Sequence, residues 1–227
     1  MEHLLTRNGC TRLYADLDTE CLQSTELLLN RYNLPIGIQA NRPDQKLKQV
    51  ALFGRMGDNP GFEHSIPNAW MASNPGHPFF LQPVLNVYEY MQKTGFGDGH
   101  EFVGPESLTG PVALREAIMM YEVNLVKHGN QLDGGTANLV ETGPYAGEPE
   151  TSHEVILLPR EIIYPYSWGG DGEDVRDVCW VLRASFDSEA CKRRLQVEVK
   201  GSISITYWSH THSPTGENKN NIKFITD

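Results

Sequence analysis

The sequence predicts a layered α/β fold, and three observations carry that prediction. Short apolar runs of strand character alternate with segments whose apolar residues recur at helical spacing. Glycine- and proline-rich stretches separate the two kinds of segment. The 227 residues, 39% hydrophobic and 21% charged, make one domain of ordinary size with enough apolar surface for a core.

Leu13 to Leu17 reads as a short strand, and a helix follows from Thr25 to Arg31. "PIGIQA" and "QVALFG" read as strands split by the turn-rich "NRPDQK". "SIPNAWMAS" is a further strand, and "NPGHP" breaks the chain. Helical spacing runs from Phe79 to Met91. "TGFGDGHEFVGPESLTGP" is a glycine-rich loop, after which Pro111 opens a helix reaching about Lys127. The segment from Gly129 to Ser152 is the longest loop and is expected to be mobile. "EVILLP" has the character of a buried strand, and "YPYSWGGDGED" is aromatic followed by turn. Helical stretches are expected over Val175–Leu182 and Ser188–Gln196, then a late strand at "SISITYW" and a polar tail.

Net charge is -10, a field that repels phosphate backbones and disfavours nucleic acid as a partner. An anionic ligand such as a nucleotide sugar would need a metal to offset that field locally. No run reaches the roughly 18 apolar residues of a membrane span, and "MEHLLTRNGC" lacks the pattern of a signal peptide. The four cysteines form no C-x-x-C pair, which argues against structural zinc. Cys179 and Cys191 are the best disulfide candidates in an oxidising compartment, with buried free thiols as the alternative.

The sharpest chemical signal is "RLYADLDTEC", the one Asp-x-Asp in the chain. On a strand, Asp16 and Asp18 would project together, about 7 Å apart. Two like charges that close raise each other's pKa unless a cation lies between them. Chance supplies about one such match in a chain of this length. The pair nevertheless ends an apolar strand, and ligands of open α/β sheets bind at strand carboxyl ends. Two chemistries use the pair. An aspartyl phosphatase of the haloacid-dehalogenase type wants Thr or Val four residues after the first Asp, where this chain has Glu20. A divalent cation, Mn²⁺ or Mg²⁺, bridging the pair and the diphosphate of a nucleotide sugar suits carboxylate oxygens.

"LYADLDTECL", "NAWMASNPGHPFF", "LTGPVAL", "VILLPREIIYPYSW" and "ITYWSHTHS" occur in that order from Leu13 to Ser213. Together they resemble the fungal members of glycosyltransferase family 32, which carry a DXD motif. The resemblance implies a GT-A-like, Rossmann-like fold, a nucleotide-sugar donor with GDP-mannose as the expected one, Mn²⁺, and transfer with retention to a glycan or inositol phosphoceramide acceptor. It makes Asp16 and Asp18 the metal and diphosphate pair and Tyr14 the aromatic before it. Asn68 and Ser73 fall in the asparagine-rich strand near the sugar. Thr109, Gly110 and Pro111 match a Thr-Gly-Pro element beside the donor, and Trp208 the tryptophan of a late H-x-W strand. Thr206 stands where that motif has histidine, so His210 or His212 would supply the third metal ligand, with His210 preferred. The family's Gly-Gly lead and first strands have no counterpart here, which gives the expectation of an N-terminally truncated catalytic domain over residues 1–213 with a polar tail at 214–227. The resemblance also implies a Golgi lumen location for anchored longer forms; the chain as written would stay cytosolic.

Other residues have plainer readings. Trp70 and Met71 read as core, and His77 as a cap for the following helix. Trp168, beside Gly169 and Gly170, either stacks on a sugar or closes a strand end. Asp171, Glu173 and Asp174 read as a solvated helix start, Glu20 as part of a turn, and Arg115, Glu116 and Glu122 as a surface helix face. The function expected is a metal-dependent retaining mannosyltransferase. The alternatives are an inactive fragment or a sugar- or partner-binding module of the same fold, and, more distantly, a phosphatase.

Overall fold

The computed structural model describes residues 12–32, 49–59, 61–74, 76–94, 104–128 and 153–209. The strand expected at 35–40, the loop at 129–152, His210, His212 and the polar tail lie outside the described residues. A four-stranded sheet has the order β1 (Arg12–Ala15), β4 (Trp70–Ser73), β3 (Gln49–Gly54), β5 (His153–Leu158). β4 is antiparallel to both β1 and β3, while β3 and β5 are parallel. β1, β3 and β5 therefore run the same way, and Ala15, Trp70, Gly54 and Leu158 share one end of the sheet. A two-stranded ribbon pairs β2 (Thr19–Cys21) with β6 (Ser204–Thr206). The mixed α/β expectation holds at this level.

β3 is buried on both faces, which is why "QVALFG" is a continuous apolar run. Val50 and Leu52 face one cluster, and Ala51 and Phe53 the other. The second cluster is closed by α4 (Pro111–His128), whose Leu114, Ala117, Ile118 and Tyr121 fall at i, i+3, i+4 and i+7. Edge-to-face ring contacts of Phe79 with Phe53 at 5.0 Å and Tyr121 at 5.4 Å lock this layer. Phe79 lies in a 3₁₀ turn, Pro78–Phe80, that leads into α2 (Leu81–Thr94). His77 caps that turn as expected: its Nδ1 accepts from the Phe79 amide at 3.2 Å.

The first cluster is covered by α1 (Thr25–Arg31), which buries Leu28 and Leu29 behind a Ser24 cap, and by the C-terminal segment. That segment runs through α5 (Arg160–Ile163), a 3₁₀ turn at Gly170–Val175, α6 (Arg176–Cys179), α7 (Ser188–Leu195) and α8 (Val197–Lys200). Cys179 and Cys191, both fully buried, form a disulfide that ties α6 to α7.

Several expected elements are shorter than their patterns suggest. Only Trp70–Ser73 of "SIPNAWMAS" is strand, because 65–69 are turns and coil that satisfy other segments. The Ser65, Pro67 and Ala69 carbonyls accept from Met56, Tyr164 and Asp16. The glycine-rich loop contains a one-turn helix, α3 (Pro105–Leu108). Val175–Leu182 is not one helix: the 3₁₀ turn ends at Val175, α6 stops at Cys179, and Trp180 turns extended. β5 is half-buried rather than buried except at Leu158.

Candidate functional site

The aspartate pair does not lie on a strand. β1 ends at Ala15, and the Thr19 amide donates to the Asp16 carbonyl at 3.1 Å, closing a turn with fully exposed Leu17 at its tip. The strand-face argument for the pair is thus corrected: a turn, not the period of two, brings both carboxylates to the carboxyl end of β1. The Asp16 amide donates to the Ala69 carbonyl at 2.8 Å, anchoring the turn to the lead of β4.

Each carboxylate has its own orienting donor. The Tyr14 hydroxyl donates to Asp16 Oδ1 at 2.5 Å. That bond, then burial and the two aspartate charges, push the Tyr14 phenol up to about 12. Asp18 Oδ2 accepts from the Ser209 hydroxyl at 3.2 Å and its amide at 3.4 Å. The next residues are gripped by the same C-terminal stretch. Thr19 Oγ1 meets Thr206 Oγ1 at 3.0 Å, and Glu20 Oε2 accepts from the Tyr207 hydroxyl at 2.7 Å. Lys192 Nζ donates to Glu20 Oε1 at 2.9 Å. Burial pushes the Glu20 carboxyl up, but the Lys192 and Tyr207 hydrogen bonds outweigh it and hold the group below its ordinary value. Glu20 lies on β2, so its reading as a turn residue is also corrected.

Trp208 sets up this grip. It has a left-handed backbone, φ 54°, uncommon for a bulky residue. Its ring is buried, lies 5.4 Å from the Tyr164 ring and donates Nε1–H to the Tyr166 carbonyl at 3.0 Å. The bend at Trp208 ends the β6 direction after Thr206 and delivers Ser209 to Asp18. Tyr164 forms the floor: burial, with the charges of Asp16, Asp18 and Tyr14 adding to it, raises its phenol well above the ordinary value.

The structure brings together Tyr14, Asp16, Asp18, Trp208 and the backbone beside exposed Asn68, but not the whole expected set. Ser73 is buried at the far end of β4, paired with Arg12 and Ala51, about 10 Å along the strand from Trp70. Thr109 caps α3, its amide and hydroxyl both donating to the Pro105 carbonyl at 2.8 and 3.2 Å. A Cβ at Gly110 would sit 2.7 Å from Glu106 Cα, so glycine permits the close α3–α4 corner. No hydrogen bond among the described residues links Thr109 or Gly110 to the aspartates. Trp70 is core, and Trp168 packs on Phe62 at 5.1 Å and His64 at 5.2 Å. Asp171, Glu173 and Asp174 lie exposed in the 3₁₀ turn Gly170–Val175, as a helix start should, but Asp171 is also tied to other segments. It accepts from Ser167 Oγ at 2.7 Å and the Asp58 amide at 2.8 Å, with Arg160 at 3.8 Å. Ser209, Tyr207 and Lys192 are the site residues that sequence reasoning missed.

Among the described residues no Lys or Arg pairs with Asp16 or Asp18, and no group of three His, Cys, Asp or Glu forms a closed metal cage. Carboxylate oxygens without a cation partner are of the chemical type that a hard divalent ion takes, with water completing its shell. No helix among the described residues is long and apolar enough to cross a membrane. Comparison with protein-family models, with curated proteins and with solved structures finds no match to this chain.

Proposed function

We propose that this chain is a metal-dependent glycosyltransferase domain of the family 32 type, transferring mannose from GDP-mannose with retention to a glycan or inositol phosphoceramide acceptor. The observation that carries the reading is the turn at the carboxyl end of β1, where Tyr14 and Ser209 each aim one unpaired carboxylate. Asp16 and Asp18 would hold Mn²⁺ or Mg²⁺, with His210 as a further ligand. When bound, the metal neutralises charge on the departing diphosphate. The chain's own part is orientation. Tyr14 and Ser209 fix the carboxylates, Tyr164 and Trp208 wall off the core beneath them, and Asn68 stands exposed at the rim for a sugar hydroxyl. The Cys179–Cys191 disulfide supports an oxidising compartment such as the Golgi lumen.

A second reading, a sugar- or partner-binding module without turnover, draws on β1. It is an edge of the described sheet and carries half-exposed Leu13 and Tyr14. Release of free mannose from GDP-mannose in the presence of Mn²⁺ separates the two. The transferase reading expects slow hydrolysis that stops in Asp16→Asn. Glycan binding with no hydrolysis at any metal concentration replaces it with the module.

A further inference from the structure

The α4-facing side of the sheet turns polar at the amino ends of β3 and β5, the end away from the acidic turn. Ala51 and Phe53 of β3 face α4, and Val155 and Leu157 of β5 pack on the same cluster. The period of two therefore turns Gln49 and His153 to that face as well, and the two are register partners on neighbouring strands. His77 lies beside them, its ring 5.8 Å from the His153 ring and 6.3 Å from the Tyr121 ring. Tyr121, 4% exposed, closes the group from α4. Its hydroxyl and Gln49 Oε1 are both buried and have no hydrogen-bond partner among the described residues. His77 is already engaged. Its Nδ1 accepts from the Phe79 amide at 3.2 Å, which leaves its proton on Nε2, 3.2 Å from the Glu154 carbonyl. Burial raises the Tyr121 phenol above its ordinary value, so the hydroxyl keeps a proton to donate.

We propose that this polar group is a buried hydration site, in which one water accepts from the Tyr121 hydroxyl and donates to Gln49 Oε1. A buried water takes roughly two to four polar partners, and here it finds a donor on the helix and an acceptor on the strand. Ordering one water costs less than leaving two buried polar atoms unpaired. The bridge ties α4 to the start of β3, beyond the apolar packing of Ala51, Phe53 and Ile118. The site is separate from the acidic turn and does not rest on the transferase reading.

The rival arrangement is a dry pocket in which the hydroxyl and the amide oxygen stay unpaired. Melting temperatures of Tyr121→Phe, Gln49→Met and the double variant, each in the full chain, decide between them. With the water bridge, Tyr121→Phe melts about 2–4 °C below wild type, the shift for one net hydrogen bond in a chain of this length. The double variant then loses less than the sum of the two single losses, because removing both partners strands neither. In a dry pocket Tyr121→Phe deletes an unpaired group and melts at or above wild type, and the single changes add. Either result overturns the proposal. Oxygen-17 relaxation dispersion of the solvent reads occupancy directly. The wild type should show the amplitude of one more long-lived water than the double variant, and equal amplitudes overturn the proposal.

Discussion

Trp208→Phe tests whether the left-handed bend holds the acidic turn. The phenyl ring keeps most of the contact with Tyr164 but loses the Nε1–H that the buried Tyr166 carbonyl accepts at 3.0 Å. Leaving a buried carbonyl without its donor costs about 1–3 kcal/mol. The missing ring atoms add about 1 kcal/mol of lost burial. The sum, about 2–4 kcal/mol, corresponds to a melting temperature lower by roughly 4–16 °C for a domain of this size. Differential scanning calorimetry reads it directly. Trp208→Gly relieves the backbone strain yet loses the whole ring, at about 3–5 kcal/mol, and should melt no higher than the Phe variant. A Phe variant melting within about 2 °C of wild type would refute the claim that this bend is held by the indole hydrogen bond.

Two further outcomes follow from buried groups. Burial, and then the neighbouring His153, push His77 down to about 3, while its ring lies against Tyr121 and its Nε2 meets the Glu154 carbonyl at 3.2 Å. A depressed folded pKa means that stability is complete above the unfolded value near 6.5 and is lost as pH falls toward 3. Between pH 7 and pH 5 that share is about 2 kcal/mol, so His77→Asn, which keeps a capping side chain, should lose correspondingly less stability over that interval in urea melts. An unchanged pH dependence would show that His77 titrates normally. For Cys179–Cys191, reduction should cost about 2–4 kcal/mol, and neither thiol should alkylate before reduction. Ready alkylation of both in the unreduced protein would mean that the bridge is not formed.

Where local pattern and tertiary structure agree, the sequence was sufficient. α4 could be placed because Pro111 and the 114, 117, 118, 121 spacing point the same way. β3 was legible as a strand and His77 as a cap, but buried character was assigned to β5, whereas it is β3 that is buried. The aspartate pair was found by its residue types, but its geometry was misread, since a four-residue turn and a strand end carry the same apolar lead. Its support was not legible. Ser209 meets Asp18 across 191 positions and Tyr207 meets Glu20 across 187, contacts made by tertiary folding and leaving no local periodicity. The turn before the expected helix at 175–182 depends on Gly172. A Cβ at Gly172 would collide with the Ser167 carbonyl, a close approach that composition alone does not reveal.

The most direct test of the central claim is calorimetric titration of GDP-mannose with and without Mn²⁺, on the wild-type chain and on Asp16→Asn/Asp18→Asn. The account predicts binding that requires Mn²⁺ and disappears in the double variant. Absence of nucleotide-sugar binding to the wild-type chain with any divalent metal, or binding that survives loss of both carboxylates, would contradict it.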